Sequence, residues 1–221
     1  MFDKRSLVCL EGRIAASGFS SGHRFVVGAW DEGPFGAMTD VMWADPRGRR
    51  RLLAPSEEVA RFVGGVYDFD EVAVVDFEVA QGSDHHIELR AGSLDIDLEA
   101  GRSLRLFSLR PRWFRRSRWW VRVEDALLRP LAGALVLQGA EGVRAFGVSP
   151  SGVTEWYRID AYRPLVRARA SLGGRDLGEM GPLDPPAGFG FSEFPRAPAL
   201  VSCSPVLAGA DSYLPQPLRA D

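Results

Sequence analysis

The chain has 221 residues, 46% of them hydrophobic, and a formal net charge of −2. This is enough apolar material for a sizeable core and too little positive charge for general binding to polyanions. Lys4 is the single lysine and asparagine is absent, which excludes an interior Schiff-base or phosphate-loop lysine, an N-glycosylation site and a Cys-His-Asn triad.

Residues 7–15 and 24–30 read as the first strands, separated by the Ser/Gly-rich stretch 17–22. Strand candidates at 36–44 and 49–54 flank Asp45-Pro46-Arg47-Gly48. Asp, Pro and Gly there suit positions i, i+1 and i+3 of a type I turn. The period then changes. Val59, Phe62, Val63 and Val66 fall at i, i+3, i+4 and i+7, so 56–66 is predicted as a short helix. Ser56 is its cap, Glu57 and Glu58 suit the positive end of its dipole, and Gly64-Gly65 is expected to stop it.

A strand over 71–80 follows. Next, 87–91 and 94–98 meet across Gly92-Ser93, a two-residue hairpin signal. Pairing Ala91 with Leu94 sets Leu89 opposite Ile96 and Ile87 opposite Leu98, with all six side chains on one face. The other face then pairs Arg90 with Asp95, Glu88 with Asp97 and His86 with Glu99. A slip of one residue would mix the faces, so the pattern fixes the register.

Between residues 102 and 122, eight arginines interleave with Phe107, Trp113, Phe114, Trp119 and Trp120. A turn of helix is expected at 125–128, capped by Asp125. Strand candidates follow at 134–137, 143–148, 153–159 and 165–172, with a second type I turn at Ser149-Pro150-Ser151-Gly152. The last sixth is proline-rich, with one strand at 199–203. The expected fold is mainly β, an antiparallel barrel or two packed sheets with about two short helices. Residues 1–207 are read as a single domain and 208–221 as a flexible tail.

No motif spells out a reaction. The carboxylates Asp31, Glu32 and Asp40 lie beside Trp30 and Trp43. Alternation puts Met38, Asp40 and Met42 on one face and Thr39, Val41 and Trp43 on the other. Asp40 is therefore either a solvent-facing residue or a buried polar group in need of a partner. Asp40, Glu32 and His23 are the candidates for acid–base work. No Gly-x-Ser-x-Gly elbow surrounds the serines near His23. Asp84-His85-His86 holds the only adjacent histidines, but neighbours on a strand point to opposite faces. A surface turn is the favoured reading, with a metal site at His85 or His86 with Asp97 or Glu99 as the lesser alternative, so no metal is expected. Cys9 and Cys203 have neither metal spacing nor a disulfide framework and read as two small buried hydrophobes.

Gly188-Phe189-Gly190-Phe191 lacks the dinucleotide-binding spacing and a βαβ context, so no cofactor is expected. A loop folding over a barrel mouth is the functional reading of that stretch. Trp30, Met38, Met42, Trp43, Phe189 and Phe191 are the candidate lining for a small apolar ligand. Arg112, Arg115, Arg116, Arg118, Trp119 and Trp120 are candidates for a surface that meets anionic membranes or a protein partner. Specific nucleic-acid binding is not expected. With no apolar stretch long enough for a signal peptide or a span, the expected location is cytoplasmic.

Three stretches together resemble a protein family of high-GC bacteria to which no activity is attached. They are 24–30 with 36–43, Leu52-Leu53-Ala54-Pro55 through Val59-Ala60-Arg61-Phe62-Val63, and Phe189-Gly190-Phe191-Ser192. The resemblance implies no substrate or catalytic residue. A lipocalin-like barrel is similar in architecture alone. The composition and the strand pattern favour a β-barrel that binds a small, largely apolar molecule. An isomerase, cyclase or hydrolase on a hydrophobic metabolite and a surface interaction module are the alternatives.

Overall fold

The computed structural model describes residues 7–80, 83–103 and 143–215. In chain order its elements are β1 (Leu7–Cys9), β2 (Glu11–Phe19), β3 (Arg24–Glu32), β4 (Met38–Ala44), β5 (Arg50–Ala54), α1 (Glu57–Val66), β6 (Glu71–Val74) and β7 (Phe77–Ala80). After these come β8 (His86–Ala91), β9 (Leu94–Ala100), β10 (Phe146–Val148), β11 (Thr154–Leu172), β12 (Arg175–Asp176), β13 (Met180–Gly181) and β14 (Ala199–Ala208). The protein is mainly β. Its strands form one curled, barrel-like sheet in the order β6-β5-β4-β3-β2-β14-β11-β9-β8-β7. All pairs in that order are antiparallel except β5 with β6, which is parallel.

The 8–9 hairpin has the register its alternation demands: Ala91 faces Leu94, Leu89 faces Ile96 and Ile87 faces Leu98. Its polar face carries Arg90 on Asp95 at 2.7 Å and His86 Nε2 against Asp97 at 2.7 Å. The stretch 71–80, expected as one strand, is two. β6 joins β5 at one end of the strand order, and β7 joins β8 at the other. Only Val75 and Asp76 connect them. The two ends of the sheet must therefore come side by side, and this forces the curl. Main-chain bonds from Val75 N to Ala54 O and from Gly92 N to Asp76 O hold the crossing.

The 19-residue strand β11 is the other half of the curl. Its first part pairs with β14 and its second with β9, with irregular register at Ile159/Ala161 and at Leu165/Arg167. Such irregularities bend a strand and raise its twist. The two halves of the sheet thus face each other across a packed layer that includes Val27, Val41, Trp43, Leu53, Leu89 and Ile96. A second apolar layer lies on the opposite face of β2–β5 and β14, under α1. With both faces covered, β3 is buried from Arg24 to Trp30 and shows no burial alternation.

Ser56 caps α1, its Oγ accepting from Val59 N at 3.3 Å. Val59, Phe62, Val63 and Val66 are all buried. The helix does not stop at Gly64-Gly65 but continues to Val66. Gly65 has another role: a Cβ there would lie 2.3 Å from the ring of Tyr213. Tyr213 belongs to a 3-10 turn, Ala210–Tyr213, that packs on α1, with Ala210 and Leu214 buried. The segment after Leu207, expected as a flexible tail, thus holds the last residue of β14 and this turn. Cys203 is buried as expected, but Cys9, at the end of the short strand β1, is exposed; both are free. The Arg/Trp stretch from Arg112 to Trp120 and the helical turn expected at 125–128 lie outside the described residues.

Candidate functional site

Strand alternation builds the floor of a cavity. Pairing across five strands sets Asp40, Gly28, Ile14, Val201 and Tyr162 in one lateral row. All five line an apolar cavity of about 140 Å³. The next row, two residues along on β4, β3 and β14 and three along on β11 across its irregular register, adds Met38, Trp30, Cys203 and Ile159. Phe62, Val63 and Val66 of α1 form another wall, and the segment 186–196 closes the space with Phe189 and Phe191. The cavity is not between the two halves of the curl, where packed side chains lie. It is on the opposite face of the sheet.

Main-chain bonds and two arginines pin the covering segment. Asp68 N donates to Phe189 O at 2.8 Å, and Leu183 N to Arg196 O at 2.9 Å. Arg50 Nη1 reaches Gly188 O at 2.9 Å. The buried guanidinium of Arg24 bridges Pro185 O at 3.0 Å and Asp45 O at 2.9 Å. The rings of Phe69 and Phe189 lie 5.6 Å apart, and those of Tyr157 and Phe191 6.2 Å apart.

Asp40 is the polar residue in the floor, 1% exposed. Its Oδ1 accepts from Trp30 Nε1 at 3.1 Å. Its Oδ2 has no hydrogen-bond partner among the described residues. Burial disfavours the charged form and pushes its pKa up to about 7, and the Trp30 hydrogen bond offsets only part of this.

A second polar group stands behind the aromatic wall. Glu155 is fully buried, and its Oε2 accepts from Tyr67 at 2.8 Å and from Tyr157 at 3.0 Å. The two phenols also touch each other. Burial raises Glu155 to about 7 and both phenols well above their ordinary value. Tyr67 and Tyr157 line the cavity, while Glu155 lies behind them.

Trp30, Met38, Met42, Phe189, Phe191 and Asp40 thus line one cavity, the first three and Asp40 from the sheet and the two phenylalanines from the covering segment. Trp43 does not. It lies on the opposite face of the sheet, stacked with Phe25 and covered by Arg51, whose guanidinium carbon is 4.6 Å from its ring. His23 is on that face too. Its Nδ1 accepts from Trp43 Nε1 at 2.9 Å, and burial lowers its pKa, which favours the neutral ring. Glu32 is exposed at the end of β3. Asp40 is the one acid–base candidate at the cavity. Arg112, Arg115, Arg116, Arg118, Trp119 and Trp120 lie outside the described residues. Among those residues, no group of three His, Cys, Asp or Glu stands ready for a metal, and no helix is long and apolar enough to cross a membrane.

The Glu155–Tyr67–Tyr157 triangle escapes a reading of the sequence alone, because Tyr67 lies 88 residues from Glu155. The one local signal is Glu155 and Tyr157 at alternate positions of an otherwise apolar strand face.

No family model matches the chain, and no curated protein does. A solved structure from Nitrosomonas europaea, provisionally described as an AttH, is similar at 11% identity with a TM-score of 0.29. The match covers 94% of this chain and 40% of that one, so the chain spans less than half the length of that protein. The likeness is too distant to carry functional meaning.

Proposed function

We propose that the protein binds a small, largely apolar molecule in the cavity between the sheet, α1 and the 186–196 segment. The carrying observation is a covered apolar space with one incompletely partnered carboxyl, that of Asp40, in its floor. Binding sites for small molecules have this make-up: apolar walls and few, placed polar groups. The volume of about 140 Å³ is close to that of engineered cavities that hold benzene, so the occupant is of the order of one ring with a short chain. Met38 and Met42 flank Asp40, and their unbranched side chains adapt to a guest.

Four methionines make the test specific. Met38 and Met42 line the cavity, and Met180 is exposed elsewhere. Titration of delipidated protein with toluene is expected to shift the methyl NMR signals of Met38 and Met42 saturably and to leave Met180 in place. Unmoved signals at both positions would refute the reading.

A second reading, an enzyme acting on the same apolar molecule, is favoured by Asp40 alone. A carboxyl poised near neutrality can both give and take a proton. This reading expects Asp40-dependent exchange of the α-protons of phenylacetone in D2O. An exchange rate equal in Asp40→Asn counts against it.

A further inference from the structure

The buried charges at the cavity are one-sided. Asp40 is in its floor and Glu155 is behind its wall, and the rings of Trp30, Phe62, Tyr162 and Phe189 face the same space. Among the described residues, the basic groups at the cavity are Arg144 and Arg196. Both are exposed, at the covering side, and Arg196 is held by Asp184 at 2.9 Å. Neither neutralises Asp40. Among the described residues its one hydrogen-bond partner is a neutral indole, and Oδ2 has none.

We propose that the occupant is an apolar amine whose ammonium group meets Asp40. This rests on the reading of the cavity as a ligand site. A carboxylate buried without a counter-charge and an ammonium buried without one are each costly. Brought together in this floor, each removes the other's cost, through a charge-assisted hydrogen bond to the oxygen that lacks a donor. Aromatic faces around the pair add cation–π attraction. An alcohol would supply the hydrogen bond but leave the charge unbalanced, and a carboxylic acid would set like charges together. Glu155 is the weaker anchor, because two phenols already donate to it and stand between it and the cavity.

The volume limits the amine to about a ring and a two-carbon chain, which suits phenethylamine as a probe. Calorimetric titration at pH 8 compares phenethylamine with 2-phenylethanol, phenylacetate and ethylbenzene, four molecules of similar shape. Phenethylamine is expected to bind at least tenfold tighter than 2-phenylethanol, with phenylacetate weakest. In Asp40→Asn the amine is expected to fall at least tenfold, to the level of the alcohol, while ethylbenzene changes less than twofold. Equal or tighter binding of 2-phenylethanol or ethylbenzene by the wild-type protein overturns the amine and leaves the ligand site standing. Failure of all four to bind overturns both. The wild-type comparison alone decides the matter if Asp40→Asn does not fold.

Discussion

The indole of Trp30 donates to Asp40 Oδ1 at 3.1 Å across the bare backbone of Gly28. Trp30 and Gly28 are two apart on β3 and so share a face, and Gly28 is the cross-strand partner of Asp40. The missing side chain opens the path by which the ring reaches the carboxyl. Without that bond the buried acid would have no partner among the described residues.

Replacing Gly28 with alanine tests this relationship. The new methyl would fall 2.6 Å from Asp40 Oδ1 and 2.7 Å from Trp30 Nε1. One or both must move, and the hydrogen bond is lost. The expected cost in urea unfolding is about 1–3 kcal/mol, the usual price of stranding a buried polar group. A stability equal to wild type would show that the pair relaxes around the methyl.

Stability should depend on pH through Asp40 and Glu155. Both sit near 7 in the folded protein, against about 4 in an unfolded chain. Between those values the folded state holds more protons than the unfolded state, so stability falls as pH rises from about 4 to about 7 and then levels off for these groups. For Asp40 the linkage is on the order of 4 kcal/mol. Asp40→Asn removes its share, so the mutant should gain on wild type between pH 4.5 and pH 8 in chemical denaturation. A mutant–wild-type difference that does not change with pH contradicts this.

Tyr67→Phe removes one of the two donors to Glu155 Oε2 and the contact with Tyr157. The expected loss is about 1–3 kcal/mol. It should be larger at pH 8 than at pH 5, because the ionised carboxylate depends more on its donors than the acid does. Equal losses at the two pH values would mean that Glu155 does not ionise in the folded state.

Trp43→Phe separates the two faces of the sheet. Trp43 packs with Phe25 and His23 on the face opposite the cavity. The expected result is lower stability, by about 1–3 kcal/mol, with toluene still moving Met38 and Met42 as in wild type. Loss of that response without unfolding would place Trp43 in the site.

Local pattern carried much of this fold. Alternating side chains determined the register of the 8–9 hairpin, because any slip would put Glu88 or Arg90 into the core. The spacing of Val59, Phe62, Val63 and Val66 determined α1, and alternation alone put Met38, Asp40 and Met42 together on one face. Period-two pattern does not say what lies over each face, so only the tertiary structure assigned the cavity to the Asp40 side and packed Trp43 into the other layer. The break at Val75-Asp76 was also a tertiary decision: both halves of 71–80 have strand-forming residues, and their partners, β5 and β8, stand at opposite ends of the sheet. The same holds for Gly65, whose place inside α1 is set by the ring of Tyr213, and for Glu155, whose phenolic partner Tyr67 is reached only when α1 folds across the sheet. Interactions between near neighbours can be read along the chain. A buried carboxyl acquires its partners and its proton affinity from residues that only folding brings near.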